Sequence, residues 1–137
     1  YALGAGYAFG DATVNVVATD THLDYSGGHH LRVDNYEING RYLFAPALTA
    51  GIGYIFTDGH GYTGTGATAF GTGDRPKWHQ VNAGITYALS KRTDLHLSAI
   101  WQRLAGDASV VAINFFAPAG AGRSSQIAVL TGIRHRF

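Results

Sequence analysis

The sequence predicts an all-β protein, an antiparallel β-barrel whose strands cross a membrane. Apolar and polar side chains alternate with period two along seven segments. This pattern is typical of β-strands that have one face in an apolar environment and the other in a polar one. Charged residues make up only 14% of the chain, while glycine occurs 19 times and aromatics reach 12%. Soluble proteins carry about 25% charged residues. We therefore expect a medium other than water over much of the surface.

The seven predicted strands are each bounded by turn-forming residues. They run near Tyr1 to Phe9, Ala12 to Thr19, Asn35 to Phe44, Leu48 to Thr57, Trp78 to Leu89, Leu95 to Gln102 and Ser125 to Phe137. Most of them are close to the roughly 9 to 11 residues that a tilted strand needs to cross a bilayer.

The connections between these strands are predicted to alternate in length. The short ones are Gly10-Asp11, Ala45 to Ala47 and Ser90 to Asp94, and the long ones are Asp20 to His30, Asp58 to Pro76 and Gly106 to Ser124. Barrels of the bacterial outer membrane combine short periplasmic turns with long outer loops in this way. A soluble sheet has no reason to sort its loops by length.

The two strand faces differ in chemistry. One face carries Leu, Ile, Val, Ala and aromatic side chains and, within the predicted strands, no charged residue except histidine. The other face is polar, and we predict that its residues line a water-filled interior: Asn35, Glu37, Asn39, Arg41, Gln80, Asn82, Arg134 and Arg136. Because the last two lie close to the chain end, an alternative place for them is the periplasmic rim.

Aromatic residues on the apolar face are expected to form girdles at the two membrane interfaces. The periplasmic girdle is predicted to contain Phe9, Tyr42, Phe44, Tyr87 and the terminal Phe137, and the outer girdle Tyr54, Phe56, Trp78 and Trp101. The soluble alternative, an antiparallel sheet with one face on a core, gives the same alternation but no girdles.

Seven strands are too few for a closed barrel, since bacterial single-chain barrels have an even number that starts at eight. An unpaired strand edge is not tolerated in lipid. We therefore expect residues 1 to 137 to be a single partial domain, with the missing N-terminal strands upstream of Tyr1.

Composition excludes several other classes. A net charge of +1 offers no footprint for nucleic acid, and the absence of cysteine excludes disulfides, thiolate metal sites and thiol catalysis. The most apolar stretch, Ser109 to Gly122, is too short for a spanning helix, which needs about 20 residues. The apolar Val110 to Phe116 patch inside it has no clear place in the barrel.

No residue pattern predicts an enzyme, a cofactor or a metal site. His22, His29 and His30 share one connection, but their spacing fits no known metal site, so exposed imidazoles are the simpler interpretation. There is no GxSxG nucleophile motif, and Gly59 to Gly73 lacks the Lys-Ser/Thr ending of a phosphate-binding loop.

Three stretches carry a resemblance to a known family. They are Asn35 to Leu48 (NYEINGRYLFAPAL), Tyr87 to Leu95 (YALSKRTDL) and Gly132 to Phe137 (GIRHRF). In them the chain resembles the general diffusion porins of Gram-negative bacteria, especially the branch of the β-proteobacteria and Neisseria. Where other members often have Tyr after the second turn, this chain has His96.

The resemblance implies that the chain forms the last seven or so strands of an about 16-stranded barrel in the bacterial outer membrane. It implies a homotrimer whose water-filled channels pass small hydrophilic solutes and ions passively. Phe137 matches the terminal aromatic residue that the barrel-assembly machinery reads, and Ser90 to Asp94 matches a periplasmic turn.

Two other functions fit the pattern and stay open. A small non-porin barrel could have a structural or adhesion role through its long loops, in contact with outer-membrane lipid but without an open pore. A soluble β-sandwich could bind carbohydrate through Trp78 or Trp101, and it would stay soluble without detergent.

Overall fold

The computed structural model describes residues 1–25, 29–63, 73–108 and 124–137. Its strands are β1 (Ala2–Phe9), β2 (Ala12–Tyr25), β3 (His29–Ala45), β4 (Leu48–Thr63), β5 (Pro76–Ser90), β6 (Thr93–Gly106) and β7 (Ser125–His135). Each strand pairs antiparallel with the next along the chain, so the seven form one up-and-down sheet. The sheet is open, with β1 and β7 at its edges. This confirms the predicted all-β, antiparallel architecture.

Within the described ranges, the chain has no helix that is both long enough and apolar enough to cross a membrane.

The three short turns follow from their residues. Gly10 has a φ of 56° at the first of two turn positions, which is the type II′ hairpin pattern and is easy only for glycine. Pro46 fixes its own φ in the second turn. In the third turn the Ser90 hydroxyl oxygen accepts hydrogen bonds from the backbone N–H groups of Arg92 and Thr93, at 3.2 and 3.1 Å.

The strands extend beyond their predicted outer ends. The expected long loop from Asp20 to His30 is wrong in length, because β2 continues to Tyr25 and β3 begins at His29. Likewise β4 reaches Thr63. The extended parts of the strands consist largely of polar residues, so apolar alternation does not predict them. These polar residues nevertheless pair across the strands. The Arg32 guanidinium, for example, lies 2.5 Å from the Asp20 carboxylate.

The sheet has almost no hydrophobic core of its own. Of the large apolar side chains in the described part, Leu31 is buried at 8% exposure, while Leu3 is 79% and Ile133 67% exposed. Apolar patches of this extent are unfavourable in water because of the hydrophobic effect. The architecture is therefore stable only where an apolar medium covers one face. The Val110 to Phe116 patch lies outside the described residues.

Candidate pore wall and membrane face

Strand register separates the side chains into rows that keep to one face of the sheet. One row runs across Ile38, Tyr54, Val81 and Trp101, which pair from strand to strand. The neighbouring row on the opposite face runs across Asn15, Asn39, Gly53 and Asn82. Successive residues of a strand point to opposite sides, so the apolar and polar rows alternate along the sheet without mixing. The register thus defines a polar face and an apolar face.

A hydrogen-bonded ladder of side chains crosses the polar face. The Asn15 amide donates to the Asn39 side-chain oxygen at 2.9 Å, and the Asn39 amide donates to the Glu37 carboxylate at 2.7 Å. Bonds of the same kind connect Asn35 with Thr19 and Thr57, and Gln80 with Asn82 and Gln102. These three bonded groups make up the ladder. Each fixes side chains that would otherwise be mobile, and together they give the wall many donors and acceptors for water.

Arg41 stands apart from this ladder. It shares the polar face with Glu37, but four strand residues separate them, about 13 Å, so the two form no ion pair. Arg41 lines a recess of about 480 Å³ together with Gly51 and Gly84. Because these glycines have no side chains, the wall leaves space beside the long side chain of Arg41. No carboxylate in the described part of the chain pairs with Arg41. Glu37 lines the same recess, so it presents one positive and one negative charge that are held apart.

A second charged group lies on the polar face at the end with the short turns. The side chain of Asp94 is only 8% exposed and accepts two hydrogen bonds from the Arg134 guanidinium, at 2.7 and 3.1 Å. Arg136 and His96 approach the same carboxyl at 3.7 and 3.2 Å. An alanine Cβ at Gly132 would lie 3.0 Å from the His96 ring, so the glycine makes room for it.

The structure thus brings Arg134 and Arg136 together on one acid, at the edge of the polar face. Sequence reasoning missed Asp94 because it counted this residue as the end of a turn. The signal was present in the register, since Asp94 pairs directly with Arg134. These charges lie at the short-turn end of the polar face.

The apolar face carries aromatic side chains at both ends of its apolar band. At the short-turn end Tyr42 and Phe44 meet edge to face at 4.8 Å between ring centroids, and His135 and Phe137 do the same at 4.8 Å. Tyr87 lies on this face next to Leu48 in the neighbouring strand. Phe9, stacked on Tyr7 at 6.0 Å, completes this end.

At the opposite end a larger aromatic group surrounds His79. The His79 ring nitrogen Nδ1 lies 2.6 Å from the Tyr54 hydroxyl, and its ring centroid is 5.0 Å from that of Phe56. Phe56 in turn stacks on Tyr36 at 6.4 Å. Trp101 lies on the same face, paired with Val81. Sequence reasoning missed the part that His79 and Tyr36 play here.

Trp78 is the exception among the predicted girdle residues. It pairs with Thr57 and Leu104 and follows the alternation of Gln80, which places it on the polar face. The assignment of Trp78 to the outer girdle is therefore wrong. The error was one of parity, because Trp78 shares the face of Gln80, whereas Trp101 pairs with Val81 on the apolar face. The aromatic belt at this end is formed by Trp101 without Trp78.

A charged rim follows immediately above this aromatic group, still on the apolar side of the sheet. Its acids are Asp20, Asp34 and Asp58, which are direct neighbours on β2, β3 and β4. The Arg32 guanidinium binds Asp20 at 2.5 and 3.1 Å, and Lys77 approaches Asp58 at 3.7 Å. The change from aromatic to charged side chains within two residues marks the upper limit of the apolar band.

His22 and His30, two of the three histidines in the first predicted long connection, each contact a single acid. His30 lies 2.6 Å from Asp24, and His22 lies 3.4 Å from Asp20. The side chain of His29 lies outside the described part. Among the residues that are described, no three His, Asp or Glu side chains come together in a way that could hold a metal ion.

An open antiparallel sheet whose apolar face is exposed rather than packed on a core fits the wall of a transmembrane β-barrel. The sequence model of the Gram-negative porin family matches residues 1–104 of the chain. The match covers well over half of the 137 residues, and the chain belongs to this family. This confirms the resemblance that the sequence motifs indicated.

Solved structures show the same fold. The anion-selective porin from Comamonas acidovorans superposes with a TM-score of 0.76 at 24% sequence identity. The superposition covers 99% of this chain but only 38% of the solved porin, so the chain spans well under half the length of that protein. No curated protein sequence matches the chain.

Membership of the family also sets the location of the chain. Gram-negative porins belong to the outer membrane, and the apolar face therefore meets outer-membrane lipid. Neither the porin family nor the porin fold is that of an enzyme.

Proposed function

We propose that the protein containing this chain forms a water-filled channel that passes small hydrophilic solutes and ions passively across the outer membrane. In this proposal residues 1–137 are one part of a single barrel domain and supply a section of its wall. The observation that carries it is the reversed distribution of polarity, in which a hydrogen-bonded polar face lies behind exposed apolar side chains such as Ile52, at 63% exposure.

The polar face supplies what passive diffusion requires. Asn35, Asn39, Gln80 and Asn82 offer neutral donors and acceptors, which replace part of a solute's hydration without binding it tightly. Glu37 and Arg41 add opposite charges that do not neutralise each other at about 13 Å. Arg134 and Arg136 add positive charge at the periplasmic mouth. Together these eight residues make up the proposed pore lining.

Single-channel conductance of the full-length protein in a planar lipid bilayer tests this function. We expect stable, stepwise currents from protein that has folded in detergent, and none from protein kept unfolded in urea. Folded protein that inserts without conducting would contradict the proposal and would favour the small adhesion barrel. Protein that stays soluble without detergent would contradict both.

Anion preference is a finer proposal for the same channel. Within the described residues the polar face carries two acids, and its cations outnumber them by one: the acids are Glu37 and Asp94, and the cations are Arg41, Arg134 and Arg136. The anion selectivity named for the Comamonas acidovorans porin is consistent with it. Reversal potentials in a KCl gradient should favour chloride, and Arg41→Gln should shift them toward zero.

Arg92→Gln is the matched control for that measurement, since Arg92 lies in an exposed turn beside the membrane. It removes the same charge away from the pore wall and should leave the reversal potential nearly unchanged. An equal shift in both variants would mean that overall charge, rather than the recess at Arg41, sets the preference.

Assembly in the membrane forms the last part of the proposal. We infer that Phe137 is the signal read by the barrel-assembly machinery and that the folded protein is a homotrimer. Phe137 is fully exposed at the end of the chain. Phe137→Ala should lower the amount of assembled protein in outer-membrane fractions, and Phe44→Ala, another aromatic at the same end, should lower it much less. Unheated gel electrophoresis should show a trimer that dissociates on boiling.

A further inference from the structure

Arg103 occupies an unusual position on the apolar side of the sheet. It pairs with His79 across β5 and β6 and lies in the same row as Phe56, at the level of the aromatic group. Trp101 lies two residues earlier in β6 and therefore on the same face. Arg103 is exposed, and no carboxylate in the described part of the chain pairs with it. An unpaired cation thus stands at the boundary between the apolar band and the polar exterior.

The basic residues at this level of β3 and β5 differ from Arg103, because acidic side chains lie beside them. Arg32 on β3 is held by Asp20 with two hydrogen bonds and also lies 3.7 Å from Asp34. Its charge is more than balanced by these two acids. Lys77 on β5 shares the single acid Asp58 with Arg75, at the long distances of 3.7 and 3.9 Å. Positive charge is therefore available at β5 and β6 but compensated at β2 and β3.

The groups around Arg103 suit a phosphate. A guanidinium offers a planar fork of N–H donors that matches two phosphate oxygens. When the Tyr54 hydroxyl donates to Nδ1 of His79, the ring carries its own hydrogen on Nε2, and that second nitrogen is a further donor. Lys77 precedes His79 by two residues on the same face and adds a second positive charge.

The height of the cluster in the membrane selects the kind of phosphate. The aromatic group of Tyr54, Phe56 and Trp101 marks the interface, where rings of this type lie at headgroup level. Long basic side chains at this level keep their stems on apolar surface and their charged ends among headgroups. Below Arg103 the face is apolar and open, with Ile127 68% and Val129 65% exposed.

We propose that Arg103, His79 and Lys77 form a binding site for the phosphate of a phosphorylated lipid in the outer leaflet, whose acyl chains lie along Trp101, Ile127 and Val129. The site is on the outside of the barrel wall and is separate from the pore lining. Its occupant is a lipid rather than a soluble phosphate, because the apolar surface continues directly below the cations.

Fluorescence of Trp101 tests this site, because bromine on a lipid quenches a tryptophan that it touches. The full-length protein is reconstituted in phosphatidylcholine vesicles that contain a minor fraction of brominated phosphatidic acid, a phosphate monoester lipid. Subtracting the signal of Trp101→Phe isolates Trp101. We expect quenching above that given by the same fraction of brominated phosphatidylcholine. Arg103→Gln should weaken the apparent lipid affinity about fivefold, the effect of one basic residue at a membrane surface.

Three controls make the result decisive. Arg92→Gln removes an arginine at the opposite end of the barrel and should keep the full preference for phosphatidic acid. Arg103→Lys keeps the charge and should keep part of the preference. Unheated gel electrophoresis of each variant shows that it has folded. Its conductance should be unchanged, since the site lies outside the pore.

Three results would overturn the proposal. The first is equal quenching by the two brominated lipids in the unmodified protein, and the second is an undiminished preference for phosphatidic acid in Arg103→Gln. The third is loss of that preference when inorganic phosphate is added, because a lipid held partly by its acyl chains should resist a soluble competitor. Failure of the conductance assay alone would speak against the channel and not against this site.

Discussion

The two faces of the sheet are made by the same strands, yet they follow opposite rules. Ile38 and Asn39 are neighbours in β3, but Ile38 is 51% exposed on one face while Asn39 is half-buried in a hydrogen-bonded ladder on the other. In a soluble protein the polar residue would be the exposed one. The comparison teaches that burial in this fold is defined by two solvents, lipid and pore water, rather than by a core.

The two faces also differ in how they tolerate change. The apolar face depends on the absence of charge over the height of the band, because lipid cannot solvate an ion. The polar face depends on specific partners, as with Asn39 between Asn15 and Glu37. Pairs of adjacent substitutions separate these two kinds of dependence.

The largest effect is expected from a charge in the middle of the apolar band. Val129 and Leu130 are adjacent in β7 and lie on opposite faces. Val129→Arg should destabilise the folded protein by about 2–4 kcal/mol, the cost of arginine at the bilayer midplane of a barrel. Leu130→Arg should cost far less, since its charge meets water. Urea titration of the full-length protein in phospholipid vesicles measures both, and equal losses would mean that the two faces are not lipid and water.

A smaller effect is expected from the ladder on the polar face. Asn39→Leu removes one accepted and one donated hydrogen bond and should lower the free energy of unfolding by about 1–2 kcal/mol. Asn82→Leu removes one such bond, from Gln80, and is expected to cost about half as much. The same titration compares the two. A loss in Asn82→Leu as large as that in Asn39→Leu would show that side-chain bonding does not stabilise this face.

The aromatic group at the outer end contains a hydrogen-bonded hydroxyl, that of Tyr54. Tyr54→Phe removes the 2.6 Å contact with His79 and should cost about 0.5 kcal/mol, the lower end for an exposed hydrogen bond. Tyr42→Phe is the control, because the Tyr42 ring contacts Phe44 by its edge or face and keeps that contact. A larger loss in the control would place the important tyrosine at the other interface.

The smallest perturbation is optical and tests the corrected face of Trp78. Brominated phosphatidylcholine should quench Trp101 and spare Trp78, while iodide in solution should quench Trp78 more. The contributions of the two residues are separated with the variants Trp78→Phe and Trp101→Phe, neither of which should change stability much. Lipid quenching of Trp78 equal to that of Trp101 would return Trp78 to the outer girdle.

Much of this fold could be predicted from the sequence, because strand alternation is a local property. The centres of all seven strands, the faces of Glu37 and Arg41 and the turn at Gly10 follow from neighbouring residues alone. The outer ends could not be predicted in the same way. Asp20 and Arg32 give no apolar alternation, yet the backbone pairing of β2 and β3 continues past them, and the two side chains meet across the hairpin.

The parts of the site that sequence reasoning missed share a physical cause. Asp94 and Arg134 are 40 residues apart, and His79 and Tyr54 are 25 apart. Periodicity gives the face of each residue but not its neighbour on the next strand, which depends on register. The error at Trp78 is of another kind, since its parity was readable from Gln80 and its aromatic character was given more weight.

What the sequence by itself determined is therefore the chemistry of each face and the class of protein. Period-two alternation determines which residues share a face of the sheet. The lack of charged residues on one of these faces indicates that this face avoids water. The tertiary structure alone decided which charged side chains pair, and where the apolar band ends and the charged rim begins. It placed Arg134 on Asp94 and left Arg41 and Arg103 without an acidic partner among residues 1–25, 29–63, 73–108 and 124–137. Both outcomes depend on the register of strands that are distant along the chain.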